Sequence, residues 1–205
     1  YGEGGRMAAE FMGKVIPEQG RILIIHNPVD SGHALAGAHI NEERLLQFVA
    51  YLSIHFPRLE HQVVSFGSSL TPSEIEAELA DILFETGTEL RGIYSIASMH
   101  DILGGLILKH SLEGRYKIVV HGISPRTEMY LRGHAFTAAL HQNPILQGYY
   151  AVRILEKYLE TGFVPPRLPT VAQGIVLGSN IGEEENFALF ASLFAIDPPE
   201  PISRL

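Results

Sequence analysis

Four histidines, His26, His100, His121 and His141, each fall at or just past the end of a run of β-branched and aliphatic residues. Neutral imidazole is the commonest zinc ligand, so a metal site is one reading of such a set. The other is polar residues lining a cleft or capping backbone groups. No His-Glu-x-x-His or comparable local motif sets a ligand spacing, and with no cysteine in the chain any thiolate-held metal or cluster is excluded. Asp30-Ser31-Gly32-His33 brings an acid, a hydroxyl and an imidazole into one loop, but neighbours in a loop seldom point at each other. There is no Gly-x-Ser-x-Gly elbow, since Gly178-Ser179-Asn180-Ile181-Gly182 has its serine in the wrong place. Gly2, Gly4 and Gly5 precede a helical pattern and could cradle phosphate, yet no Gly-x-x-x-x-Gly-Lys-[Ser/Thr] occurs. Arg44 could donate paired hydrogen bonds to vicinal hydroxyls or a carboxylate, or could be a solvated surface arginine.

The elements that must position these residues alternate along the chain. Apolar residues at helical spacing predict helices over 6–16 and 41–56, over 71–86 with a Thr71-Pro72-Ser73-Glu74 capping box, and over 100–112. Glu42 and Glu43 fall in the first turn of the second, where the macrodipole favours acids. Gly104-Gly105 inside the fourth is costly in a helix, and close packing is the usual reason to keep such a pair. Ser124-Pro125 starts a short helix ended by Gly133, and Asn143-Pro144 caps a longer one ended by Gly162. Its residues 145, 149, 152, 155 and 159 share a face, which predicts that it lies on a core.

Strands are expected at 21–26, 61–66, 91–96, 116–121, 135–140 and 174–177. No hairpin dipeptide separates two of them. The expected fold is therefore α/β: an open parallel sheet with helices on both faces. Ligands bind beyond the carboxyl ends of the strands in such sheets, which selects His26 and Asn27, 67–69, 97–100, 121–124 and 141–143.

With 205 residues, 46% of them hydrophobic, the chain can bury a substantial core. No apolar run reaches the roughly 18 residues of a membrane span. A formal charge of −8 argues against this stretch gripping a phosphate backbone. It opens Tyr1-Gly2-Glu3-Gly4-Gly5-Arg6, without Met or a secretion signal, and is expected to be a piece of a longer protein. The tail 182–205 carries Glu183-Glu184-Glu185, an apolar patch at 187–196 and three prolines, and the pattern does not place it.

Several segments in order resemble a known family: Gly5-Arg6-Met7-Ala8-Ala9-Glu10, Asn41-Glu42-Glu43-Arg44 with Phe48, Leu90-Arg91-Gly92-Ile93-Tyr94, Lys117 to Thr127, Leu140-His141-Gln142-Asn143-Pro144, and Gln147 to Arg153. Together, over about 4–181, they resemble the sugar-binding core of LacI-family (lactose-repressor type) transcription regulators, itself similar to type I periplasmic binding proteins. The resemblance implies two α/β lobes closing on a sugar-like effector. Residues 1–181 would form the C-terminal lobe, with helix 144–161 crossing toward a first lobe outside this chain and 182–205 as a tail. DNA would be contacted only through a helix-turn-helix headpiece that this chain lacks, in a cytoplasmic homodimer with no cofactor, no metal and no catalytic residues.

Carried over by position, Arg44 matches the family's ligand-binding arginine and Gln142 its polar hinge residue. Ser98, or Ala97, matches a position that is often Asn or Asp. Asn27, His121 and His141 complete the expected ligand-binding set. Gly122 stands where sugar binders often carry an acid, and His121 is expected to take over part of that role. The alternatives are a solute-binding protein of an ABC transporter and, from another class, a histidine-rich metalloenzyme.

Overall fold

The computed structural model describes residues 2–17, 19–26, 36–66, 69–85, 89–96, 99–166 and 171–181, with backbone alone at 36–38. Its elements are α1 (Gly2–Val15), β1 (Gly20–His26), α2 (Ala36–His55), β2 (Leu59–Ser65), α3 (Pro72–Glu85), β3 (Leu90–Ser95), α4 (His100–Lys109), β4 (Lys117–His121), α5 (Pro125–Arg132), β5 (Ala138–His141), α6 (Pro144–Thr161) and β6 (Gly174–Val176).

Six strands form one sheet in the order β2-β1-β3-β4-β5-β6. The first five run parallel, as expected for strands joined through helices. β6 departs from expectation and pairs antiparallel with β5, His141 standing opposite Gly174. Successive β1 side chains point to opposite faces, so each face has its own core. Ile22 and Ile24 pack with Ala8, Ala9 and Met12 of α1 and with Phe48 and Leu52 of α2. Leu23 and Ile25 pack on the other side with Leu79 and Leu83 of α3, Leu103 and Ile107 of α4, and Tyr130 and Leu131 of α5.

The local stop and start signals operate as the chemistry demands. Thr71 and Glu74 close a reciprocal capping box, the Glu74 amide donating to Thr71 Oγ1 at 3.3 Å and the Thr71 amide to Glu74 Oε2 at 2.7 Å. The Asn143 side chain accepts from the Leu146 amide at 3.1 Å, and Gly162 takes the left-handed end at φ 68°.

Some boundaries move for tertiary reasons. α1 begins at Gly2 rather than residue 6, because its glycine-rich first turn packs on α2 and burial offsets poor helix propensity. α2 begins at Ala36, so Glu42 and Glu43 lie beyond its first turn and the dipole argument does not apply to them. β5 starts at Ala138 rather than Ala135. His134 turns left-handed at φ 59°, and the Phe136 amide donates back to the Tyr130 carbonyl at 3.1 Å, which places Phe136 in the core.

α6 is the largest correction. None of its residues is buried, and Val152, Leu155 and Leu159 are all more than half exposed. The apolar stripe is there, but among the described residues no core lies under it.

Gly104 and Gly105 divide. A Cβ on Gly104 would stand 2.5 Å from the Tyr130 ring, so α4 approaches α5 this closely only with glycine there. A Cβ on Gly105 would meet nothing within 4 Å. Urea denaturation is therefore expected to show Gly104→Ala destabilising, by roughly 1–3 kcal/mol for an overpacked core. Gly105→Ala should stabilise by about 0.4–1 kcal/mol, because alanine restricts the unfolded chain.

Candidate ligand-binding site

The carboxyl ends of the parallel strands form one rim. α1 builds its floor, because the residues that lack side chains let its first turn lie against everything near it. A Cβ on Gly5 would collide with the Arg44 carbonyl oxygen, and one on Gly2 would stand 2.7 Å from Gln47 Cγ. One on Gly4 would overlap Gln173 Oε1 and stand 3.0 Å from His121 Cε1. These glycines are helical and packed, so their role is close approach of α1 to α2 and to the rim; a phosphate-cradling loop is not what they form.

Arg44, on the inner face of α2, is only 6% exposed, and its Nη1 donates to Asn41 Oδ1 at 3.1 Å. One turn further along, Phe48 stacks on Tyr94 of β3, with ring centroids 4.4 Å apart and planes 20° off parallel. Tyr94 is completely buried, and its hydroxyl lies 2.6 Å from His121 Nε2 at the end of β4. Among the described residues that imidazole is the hydroxyl's sole hydrogen-bond partner, and donation of the phenol proton to Nε2 is the arrangement that leaves no hydroxyl proton unpaired. In that arrangement Nδ1 carries the ring proton. It is buried and without a partner among the described residues.

The electrostatics keep this pair neutral. Burial pushes the Tyr94 hydroxyl far above its ordinary range, with the Arg44 charge opposing it. Burial holds His121 well below the usual imidazole value, and the nearby Arg44 and His100 add to the effect. Desolvation lowers His26, His100 and His141 as well, with Glu42 pulling His26 back up and Asp101 doing so for His100. His26 is buried, its Nε2 standing 3.4 Å from Glu42 Oε2.

Arg44 and His100 are thus both within electrostatic reach of His121. His141 and Gln142 are half-buried at the end of β5, the Gln142 carbonyl accepting from Gln147 Nε2 at 2.7 Å. Asn27, Ala97 and Ser98 lie outside the described residues. Gly122, where the family pattern suggests an acid, has φ 87°, a conformation that favours glycine over any L side chain. The rim histidines do not converge on a metal: among the described residues no three of His, Cys, Asp and Glu are grouped to hold one.

Tyr94 and Gln173 were not singled out by the sequence. Tyr94 sits inside an apolar strand, where a tyrosine reads as core. Gln173 has no local signal at all, since only the antiparallel docking of β6 carries it to the rim.

No protein-family model matches the chain, and no curated protein matches it in sequence. Solved structures match its fold. A carbohydrate-transporter solute-binding protein from Agrobacterium radiobacter, in complex with D-arabinose, superposes with a TM-score of 0.73 at 19% identity, over 92% of this chain and 62% of that one. A putative LacI transcriptional regulator from Bacteroides fragilis gives 0.75 at 16% identity, over 88% and 60%. A solute-binding protein from Burkholderia graminis, also with D-arabinose, gives 0.74 at 18% identity, over 89% and 61%. The chain has the α/β fold of one lobe of type I periplasmic-binding-protein-like proteins, and it spans about three fifths of the length of these neighbours.

An imidazole held below its usual value binds a proton more weakly in the folded chain than in the unfolded one. Stability is then full above the unfolded value near 6.5 and declines as pH falls through it. The urea midpoint is expected to drop between pH 7.5 and pH 5.5, whereas a flat or rising midpoint would show the rim histidines are not held neutral. Nitrogen-15 spectra of the histidine rings at pH 7.5 should show His121 as the Nδ1–H tautomer.

Proposed function

We propose that this chain is part of the effector-binding region of a LacI-type transcriptional regulator, taking a sugar or a related small polar metabolite. The observation that carries the binding role is the buried cluster of Arg44, Tyr94 and His121 at the strand rim, in a fold whose neighbours include proteins crystallised with D-arabinose. A buried guanidinium and a neutral Nδ1–H supply fixed donors for hydroxyl oxygens, and such preorganised polar groups fix ligand orientation. Arg44, His121, His141 and Gln142 are the ligand-contacting residues in this reading, with Asn27 and Ser98 completing the set. The site performs no covalent chemistry: ligand binding shifts the balance between open and closed lobes, and through it DNA affinity.

The exposed apolar face of α6 supports the two-lobe arrangement. Val152, Leu155 and Leu159 suit a surface that a first lobe covers, and the neighbours are longer than this chain. The complete protein is then a cytoplasmic homodimer that binds DNA through a separate headpiece.

A second reading has equal support from the fold neighbours, most of which are solute receptors: a sugar-binding component of an ABC transporter. The gene sequence upstream of Tyr1 separates the two. A helix-turn-helix segment there supports the regulator, and a secretion signal supports the receptor.

Either reading requires Arg44. Monosaccharides that raise the thermal midpoint of the complete protein are to be titrated by calorimetry against wild type and Arg44→Ala. Losing a charged donor costs about 1.5–3 kcal/mol, so affinity is expected to fall roughly tenfold to a hundredfold. Unchanged affinity would remove Arg44 from the site.

A further inference from the structure

Two buried polar atoms, His121 Nδ1 and Gln173 Oε1, stand where α1 meets the rim, and neither has a hydrogen-bond partner among the described residues. Both lie beside Gly4. A Cβ built there would overlap Gln173 Oε1 and stand 3.0 Å from His121 Cε1, the ring carbon bonded to Nδ1. Any larger residue at position 4 would push one of them away.

The backbone of β6 fixes where the glutamine emerges. Gly174 pairs with His141 of β5, so Gln173 leaves the sheet one residue past that pair, at the carboxyl-end rim, and its amide oxygen reaches Gly4 of α1. The two atoms differ in what they need. With the Tyr94 hydroxyl donating to Nε2, His121 Nδ1 carries a proton to give, whereas a glutamine Oε1 can only accept. Leaving either unmade in a buried place is costly. A hydroxyl satisfies both through a single oxygen, accepting from the N–H and donating to the carbonyl.

Acceptors are what this side of the rim otherwise lacks. Gly122 has no side chain, and among the described residues the charges acting on His121 are those of Arg44 and His100, with no acid between them. Every hydroxyl of a polyol brings a proton that must be accepted, so donors alone cannot hold one well.

We infer that Gln173 is a ligand-contacting residue: its Oε1 and the His121 Nδ1–H together hold one hydroxyl group, that of a water in the free protein and that of the effector in the complex. Gln173 thereby selects ligands with a free hydroxyl at this point over deoxy counterparts. That the second hydroxyl belongs to a sugar-like effector rests on the function proposed above; the shared hydroxyl site does not.

The full chain is tested first without ligand. In rotating-frame Overhauser spectra at pH 7.5, His121 Nδ1–H is expected to show a cross-peak to a bound water, which Gln173→Leu abolishes. No such peak in wild type, or one that survives the substitution, overturns the inference. Gln173→Glu sets a carboxylate beside the ring and should raise the His121 titration midpoint by about one unit or more. An unmoved midpoint overturns it too. D-ribose, D-xylose and D-mannose are then added in turn. One that binds should replace the water cross-peak with one to carbohydrate protons and bind Gln173→Leu roughly tenfold more weakly than wild type. Equal binding to both proteins removes Gln173 from the site. A Gln173-dependent water peak that none of the three sugars displaces upholds the hydroxyl site and counts against the sugar reading.

Discussion

The close approach of α1 to α2 is the constraint on which the rim depends. Three glycines in the first turn of α1 remove the Cβ atoms that would otherwise strike Gln47, Gln173 and the Arg44 carbonyl. With that turn flush against α2, Arg44 is enclosed, Phe48 stacks on Tyr94, and the His121 ring edge lies against the backbone at Gly4. A helix start built from glycine is intrinsically poor. It persists because the interface behind it buries Ala8, Ala9 and Met12 completely.

Enclosure then sets the charge state of the site. Removal from water favours the neutral forms of the phenol and the imidazole, which share one hydrogen bond. The Arg44 cation nearby reinforces neutrality at His121. The result is a buried cation beside a hydrogen-bonded pair of neutral rings at the carboxyl ends of the strands.

Much of the scaffold was legible from residue pattern. Alternating apolar runs and capped helices placed each described strand and helix in order, with the starts of α1 and α2 a turn or more too late, and Thr71–Glu74, Ser124, Asn143 and Gly162 perform the local roles their chemistry suggests. Of the proposed ligand contacts, Arg44 and His121 are found buried at the rim, with His141 and Gln142 half-buried beside it. Tyr94 was invisible because a strand tyrosine and a site tyrosine look alike until the partner of the hydroxyl is known. The α6 stripe shows the converse: a periodic apolar face announces that something must cover it, and says nothing about what does.

By itself the sequence determined the order of elements, their caps and the strand ends to inspect, because those follow from hydrophobic periodicity and from hydrogen bonds between residues a few positions apart. Only the tertiary structure decided the antiparallel docking of β6, the division of Gly104 from Gly105, the bareness of α6 and the Tyr94–His121 bond. Each of these depends on atoms far apart in the chain meeting within a few ångströms, and local pattern carries no record of such distances.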